Sequence, residues 1–193
     1  GHLCPAGDMK WSSTAMNESF YMSNMSPQVP GFNRGIWKKL ESTVRNRAVD
    51  NGEIYVVTGP ILTGSYPTIG FNQVSIPEYY YKEVLDYKEP EFKGIGFILS
   101  HEKSSSSLQS FTLSIDEVES RTGIDFYHSL PDSIEEQIES NVNVANWSFS
   151  SSKSYSSGSS YKTEQENFEG QPWININTAS KSELMKLPGI GTK

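Results

Sequence analysis

Asn33-Arg34-Gly35-Ile36-Trp37-Lys38-Lys39-Leu40-Glu41-Ser42-Thr43-Val44-Arg45-Asn46-Arg47-Ala48 reads as an amphipathic helix. At about 100° per residue, Ile36, Trp37, Leu40, Val44 and Ala48 share an arc of roughly 120°, and Arg34, Lys38, Glu41 and Arg45 share another of roughly 60°. One face is core and the other is charged. The pattern stops before Asp50-Asn51-Gly52, a turn signal. Upstream, Gly1 to Trp11 carries Pro5 and Gly7, which predicts a brief strand running into a loop, and Ser23 to Phe32 reads as a second loop. Downstream, the β-branched run Ile54 to Leu62 predicts a buried strand, Tyr79 to Asp86 and Gly94 to Leu99 two more, and Phe111 to Ile115 a fourth. Helix starts are predicted at Asp116-Glu117-Val118-Glu119 and at Pro131-Asp132 before Ser133 to Ser140. Strands and helices without a βαβ rhythm point to an α+β fold.

The chain has 193 residues, 35% hydrophobic and 12% aromatic, enough for a real core, so wholesale disorder is excluded. No run approaches the ~18 apolar residues of a membrane span. A single cysteine, Cys4, excludes an intrachain disulfide and leaves the compartment open. The net charge of -7 is unevenly spread: residues 1–50 carry six Lys/Arg against four Asp/Glu, residues 51–169 seven against eighteen, and residues 170–193 three against one. Both ends are basic, so the acidic total argues against broad sticking to a polyanion but not against a basic cleft. Nine of the thirteen residues from Ser148 to Ser160 are Ser, which predicts a flexible linker over 148–170 and a domain over 1–147.

Gly1-His2-Leu3-Cys4-Pro5-Ala6-Gly7-Asp8-Met9 is followed by Phe20-Tyr21-Met22-Ser23-Asn24-Met25-Ser26-Pro27-Gln28, then by Asn33-Arg34-Gly35-Ile36-Trp37 and Leu40-Glu41. In order and spacing this resembles the DNA/RNA non-specific endonucleases, ββα-metal nucleases of the endonuclease G type. The resemblance runs on through Val57-Thr58-Gly59-Pro60, Pro77 to Tyr81 with Lys82, Gly96-Phe97-Ile98 and Thr122-Gly123-Ile124-Asp125-Phe126, to about residue 130. It implies a ββα-metal nuclease fold with a mixed, largely antiparallel sheet, and Mg²⁺-dependent hydrolysis, with Mn²⁺ as an alternative ion. The substrate it implies is DNA, with RNA as a second one, cut without sequence preference to 5′-phosphate and 3′-hydroxyl ends.

The resemblance also implies roles. His2 holds the position of the family's general base, a task suited to an imidazole titrating near neutrality. Asn33 matches the metal-binding Asn, a neutral oxygen ligand that leaves most of the coordination sphere to water and phosphate, as Mg²⁺ prefers. Glu41, about two turns on, would hold metal-bound waters, Arg45 would clamp phosphate, and Asn24 would support the site by hydrogen bonding. The family's His follows Asp-Arg-Gly, of which only Gly1 is present, so the resemblance implies that the sequence begins inside the motif. Any targeting segment would then lie upstream, and a periplasmic or secreted bacterial location is the guess. Each residue also has an ordinary explanation: a solvated His2, an exposed Glu41–Arg45 ion pair, an N-cap Asn33. Trp37 and Leu40 are assigned to core. A Cys4–His2 nucleophile or zinc pair is rejected, because no second Cys exists and His101 and His128 lack ligand spacing.

Residues 171–193, with Ile176-Asn177-Thr178-Ala179, Glu183-Leu184 and Leu187-Pro188-Gly189-Ile190-Gly191, resemble the first half of a competence-type helix-hairpin-helix. That implies a partial, all-α, DNA-binding tail in which the turn at Gly189 and Gly191 offers backbone N–H groups to a phosphate. The rival to an endonuclease is a non-catalytic DNA-binding or DNA-uptake protein that works through this hairpin.

Overall fold

The computed structural model describes residues 1–147 and 149. In chain order it contains α1 (Ser13–Glu18), a wide, kinked helical segment Phe32–Trp37 that runs into α2 (Lys38–Asn51), β1 (Tyr55–Pro60), a small hairpin of β2 (Thr68–Ile69) and β3 (Val74–Ser75), the long strands β4 (Tyr79–Lys88) and β5 (Glu91–Ser100), then β6 (Thr112–Leu113), α3 (Ile115–Thr122) and α4 (Asp132–Glu139). The main sheet is antiparallel, in the order β1-β4-β5-β6. This is the α+β architecture expected from the sequence.

Strands β4 and β5 are central and buried on both faces, because side chains alternate across a strand and helices cover each side. On one face Tyr80 and Val84 of β4 and Ile95, Phe97 and Leu99 of β5 pack with Phe32, Ile36, Trp37, Leu40 and Val44 of the helix. On the other, Tyr81 and Ile98 pack with Ile115 and Val118 of α3 and with Phe126. Trp37 and Leu40 are fully buried, in the core role that periodicity assigned them. Arg47 is buried too, its guanidinium set 5.3 Å from the Phe97 ring centroid, 4.8 Å from Trp147 and 4.6 Å from Phe149, so that aromatic faces stand in for lost water.

Three local expectations are corrected, and one element is added. The helix predicted from Asn33 begins a turn earlier, at Pro30, in the segment read as loop; proline's fixed φ suits a first helical turn. The strand expected to be buried at Ile54 to Leu62 is an edge strand with Tyr55 and Val56 exposed, since β1 pairs only with β4. The strand expected over Phe111 to Ile115 is reduced to Thr112–Leu113. Ser114 and Glu117 form a reciprocal capping box there and draw Ile115 into α3. The added element is α1, started by the Ser12 hydroxyl, which accepts from Ala15 N at 3.1 Å.

The second helical layer can approach because β5 carries Gly94 and Gly96. A Cβ on Gly94 would strike the Ile115 side chain and lie 2.8 Å from the Ile138 carbonyl oxygen, and one on Gly96 would lie 3.2 Å from the Ser114 carbonyl oxygen. Gly94→Ala is therefore expected to cost about 1–3 kcal/mol through overpacking. The check is urea unfolding: the midpoint should fall while the m-value stays constant.

Candidate active site

Backbone pairing places His2. It forms an antiparallel bridge with Met25, while Leu3 N donates to Asn24 O at 2.9 Å and Ser26 N to Gly1 O at 3.0 Å. The imidazole packs edge-on against Phe20 at 4.5 Å, and its Nε2 is buried without a hydrogen-bond partner among the described residues. Asn24 locks the following turn: its side-chain oxygen accepts from Cys4 N at 2.9 Å, and its amide donates to Cys4 O at 2.9 Å and Ser19 O at 2.8 Å. The partner segment is anchored to the sheet by Tyr80, whose hydroxyl donates to Pro27 O at 2.5 Å and meets Ser26 Oγ at 2.7 Å.

The helix brings the remaining residues. Gly35, at φ -99° and ψ -113°, breaks the helical path and kinks it between Asn33 and Glu41. Asn33 N donates to Val29 O, so this residue lies within the opening turns and is not their cap. His2, Asn33, Glu41 and Arg45 line one open cleft of about 320 Å³, with the cationic side chains of Arg34 and Lys38 at its wall. Close packing at Gly1 draws the sides together. A Cβ there would collide with the Gln28 side chain and come 2.9 Å from Asn33 Nδ2.

Arg45 does not pair with Glu41 one turn away. Its Nε donates to Asp8 Oδ1 at 2.6 Å, which ties the loop after His2 to α2. The ion pair is partly exposed, so its net contribution is only about 0–1 kcal/mol. Glu41 is half-buried; burial raises its pKa, and the foremost charge opposing that rise is Lys82. Lys82 is 1% exposed, with Nζ 4.9 Å from the Trp37 ring centroid, and burial pushes it down to about 8. Glu41 is the foremost charge opposing this fall, so the ionised forms of Lys82 and Glu41 favour each other. The sequence reading missed Lys82 as a site residue. The available signal was a lysine in the middle of an apolar strand, in phase with Tyr80 and Val84.

Asn33 and Glu41 offer oxygen donors beside an open, water-accessible mouth, a set that fits a hard, largely hydrated divalent cation. Cys4 fits neither a thiolate nucleophile nor a soft-metal site, because burial, followed by Asp8, raises its pKa. His101 is a structural staple: Nε2 accepts from Val29 N at 2.7 Å and Nδ1 lies 2.9 Å from Pro77 O. Gly189 and Gly191, and most of the Ser-rich segment with them, fall outside the described residues.

A histidine on an isolated antiparallel bridge, sharing a cleft with a helix that carries an Asn and a Glu beside an antiparallel sheet, is consistent with the ββα-metal nuclease fold. The chain belongs to the DNA/RNA non-specific endonuclease family, whose model matches residues 1–133. It is 33% identical over 145 residues to the mitochondrial nuclease EXOG of Danio rerio, covering 67% of this chain and 42% of that protein. It is 35% identical over 144 residues to nuclease C1 of Cunninghamella echinulata var. echinulata, covering 67% and 57%. The solved structure of an EndoG/EndoGI complex matches with a TM-score of 0.63 at 29% identity, over 68% of this chain and 60% of that one. The chain thus spans about half the length of the curated relatives it matches.

Because three side-chain hydrogen bonds of Asn24 hold the turn after His2, Asn24→Ala is expected to destabilise the domain by about 2 kcal/mol and to lower turnover. Denaturant melts and rates on one preparation check both, and an unchanged melt would show that the turn holds itself.

Proposed function

We propose that this chain is a divalent-metal-dependent endonuclease that hydrolyses phosphodiester bonds of DNA, and of RNA as a second substrate, without sequence preference. The supporting observation is the convergence of His2, Asn33, Glu41 and Arg45 on one cleft from segments separated in sequence. His2 takes a proton from the attacking water. With Nε2 shut away from solvent, Nδ1 is the nitrogen left to receive it. Asn33 would hold the metal directly and Glu41 through water, with Lys82 the foremost charge favouring its ionised form; the cation, Mg²⁺ or Mn²⁺, would supply charge neutralisation at the scissile phosphate. Arg45, steered by Asp8, binds a phosphate oxygen together with Arg34 and Lys38. Such contacts read the backbone and not the bases, which gives low specificity; the 5′-phosphate and 3′-hydroxyl ends follow if water attacks phosphorus and the P–O3′ bond breaks, the departing 3′ oxygen taking up a proton from solvent. A non-catalytic scaffold leaves the joint placement of these four residues without a purpose.

Burial lowers the pKa of His2 below the ordinary 6.5. A base works in its neutral form, so activity should rise with pH through an acid limb lying below that value, visible in the pH profile of kcat/KM. His2→Ala should abolish plasmid nicking and leave DNA affinity nearly intact, and equal losses in both would move His2 from catalysis to binding. Asn33→Ala should raise the Mg²⁺ concentration needed for activity.

For the tail we propose DNA capture through the N–H groups around Gly189 and Gly191. Extending the chain by a second helix should lower KM for long DNA and leave a dinucleotide substrate unaffected, with the gain shrinking as salt rises. Equal KM values for this extended chain and one ending at Trp147, on long DNA, would reject capture.

A further inference from the structure

Across the sheet from the cleft lies a group of acids that the proposed chemistry does not use. Asp116 and Glu119 of α3 and Glu139 of α4 each offer a carboxylate oxygen, and these oxygens all lie within 4.8 Å of one another. Asp116 is exposed at the mouth and Glu139 is buried. Behind them, Glu83 of β4 is 0% exposed and neither of its carboxylate oxygens has a hydrogen-bond partner among the described residues. The same holds for Glu139 Oε1 and the Tyr127 hydroxyl. Glu83 faces the α3 side of the sheet: it pairs with Gly96, on which a Cβ would meet Val118 Cγ2 of α3, and the charges acting on it are Glu119 and Glu139. No cationic side chain among the described residues acts on Glu83 or Glu139; every charge that does is a carboxylate.

Buried, uncompensated carboxylates are costly unless a proton or a cation joins them. Protons account for part of this, as burial and the neighbouring acids push Glu83 up to about 9 and Glu139 up to about 8. The spacing also admits an ion. Oxygens bound to one Ca²⁺ at about 2.4 Å sit at most about 4.8 Å apart, and an all-oxygen carboxylate set suits a hard cation. Glu119 is already oriented, its Oε1 accepting from Phe126 N at 2.6 Å.

We propose that Asp116, Glu119 and Glu139, backed by Glu83, form a structural Ca²⁺ site that clasps α3, α4 and β4 together and is separate from the catalytic cleft. The two sites lie on opposite sides because Lys82 and Glu83 are consecutive residues of one strand. The site would lock the helical layer in place and would not enter the reaction.

Terbium luminescence sensitised by tyrosine, with Ca²⁺ competition and thermal melts on the full chain, tests this. The isosteric variants Asp116→Asn and Glu119→Gln are compared with Asn33→Ala, and Mg²⁺ is titrated in parallel. The proposal expects Ca²⁺ to displace Tb³⁺ and to raise Tm of the EDTA-treated protein. It also expects Asp116→Asn and Glu119→Gln to weaken Ca²⁺ binding by about tenfold or more, while Asn33→Ala leaves it unchanged. Asp116 is exposed, so that variant keeps the test free of folding failure. Binding lost in Asn33→Ala but kept in Asp116→Asn and Glu119→Gln would assign the ion to the cleft and overturn the proposal. Absence of Ca²⁺ binding would also overturn it, and Glu83→Gln leaving Tm unchanged at neutral pH would then show that protons alone fill the group.

Discussion

The burial of β4 on both faces is the constraint on which the molecule depends. Its consecutive residues Lys82 and Glu83 are both buried and must point to opposite sides of the sheet. On the cleft side Lys82 finds the Trp37 ring and the opposing charge of Glu41, and the ionised forms of the two favour each other. On the far side the charges acting on Glu83 are the carboxylates of Glu119 and Glu139. One strand thus sets the electrostatics of the candidate active site and creates the electrostatic problem behind it.

The cleft is assembled from segments that would not meet without the sheet. Tyr80, two residues before Lys82 on the same face, reaches the Ser26–Pro27 segment that pairs with Gly1 to Leu3, and so connects His2 to the core. His101 ties the start of the helix back to the strand ends through Val29 and Pro77. Such bonds contribute only about 0.5–1.5 kcal/mol each in net terms, but breaking one leaves a partly buried polar group without a partner. That asymmetry makes the geometry specific as well as stable. Asn24 does the same locally, with three bonds from one side chain.

The fold also explains how an acidic protein can present a cleft to a polyanion. Asp116, Glu119, Glu135 and Glu139 belong to the α3 and α4 layer, whereas Arg34, Lys38 and Arg45 line the opposite side beside His2. The sheet separates the two fields. A phosphate approaching the cleft meets local positive charge, and the acidic total has little bearing on it because screening in salt acts over about 8–10 Å.

Read alone, the sequence determined the α+β class, the amphipathic helix with Trp37 and Leu40 in the core, the central strands, and the ordered motifs that mark the family. These are legible because hydrophobic periodicity and motif spacing are local properties of the chain. Periodicity records that a face is buried and is silent about what covers it. Hence only the tertiary structure decided that the β-branched run of β1 sits at an edge, that Arg45 pairs with Asp8 and not with Glu41, and that Lys82 lies behind the cleft. It alone brought Glu83 to the acids of α3 and α4. Each of these outcomes depends on which residues meet after long loops close, and charges and edges take their meaning from those neighbours.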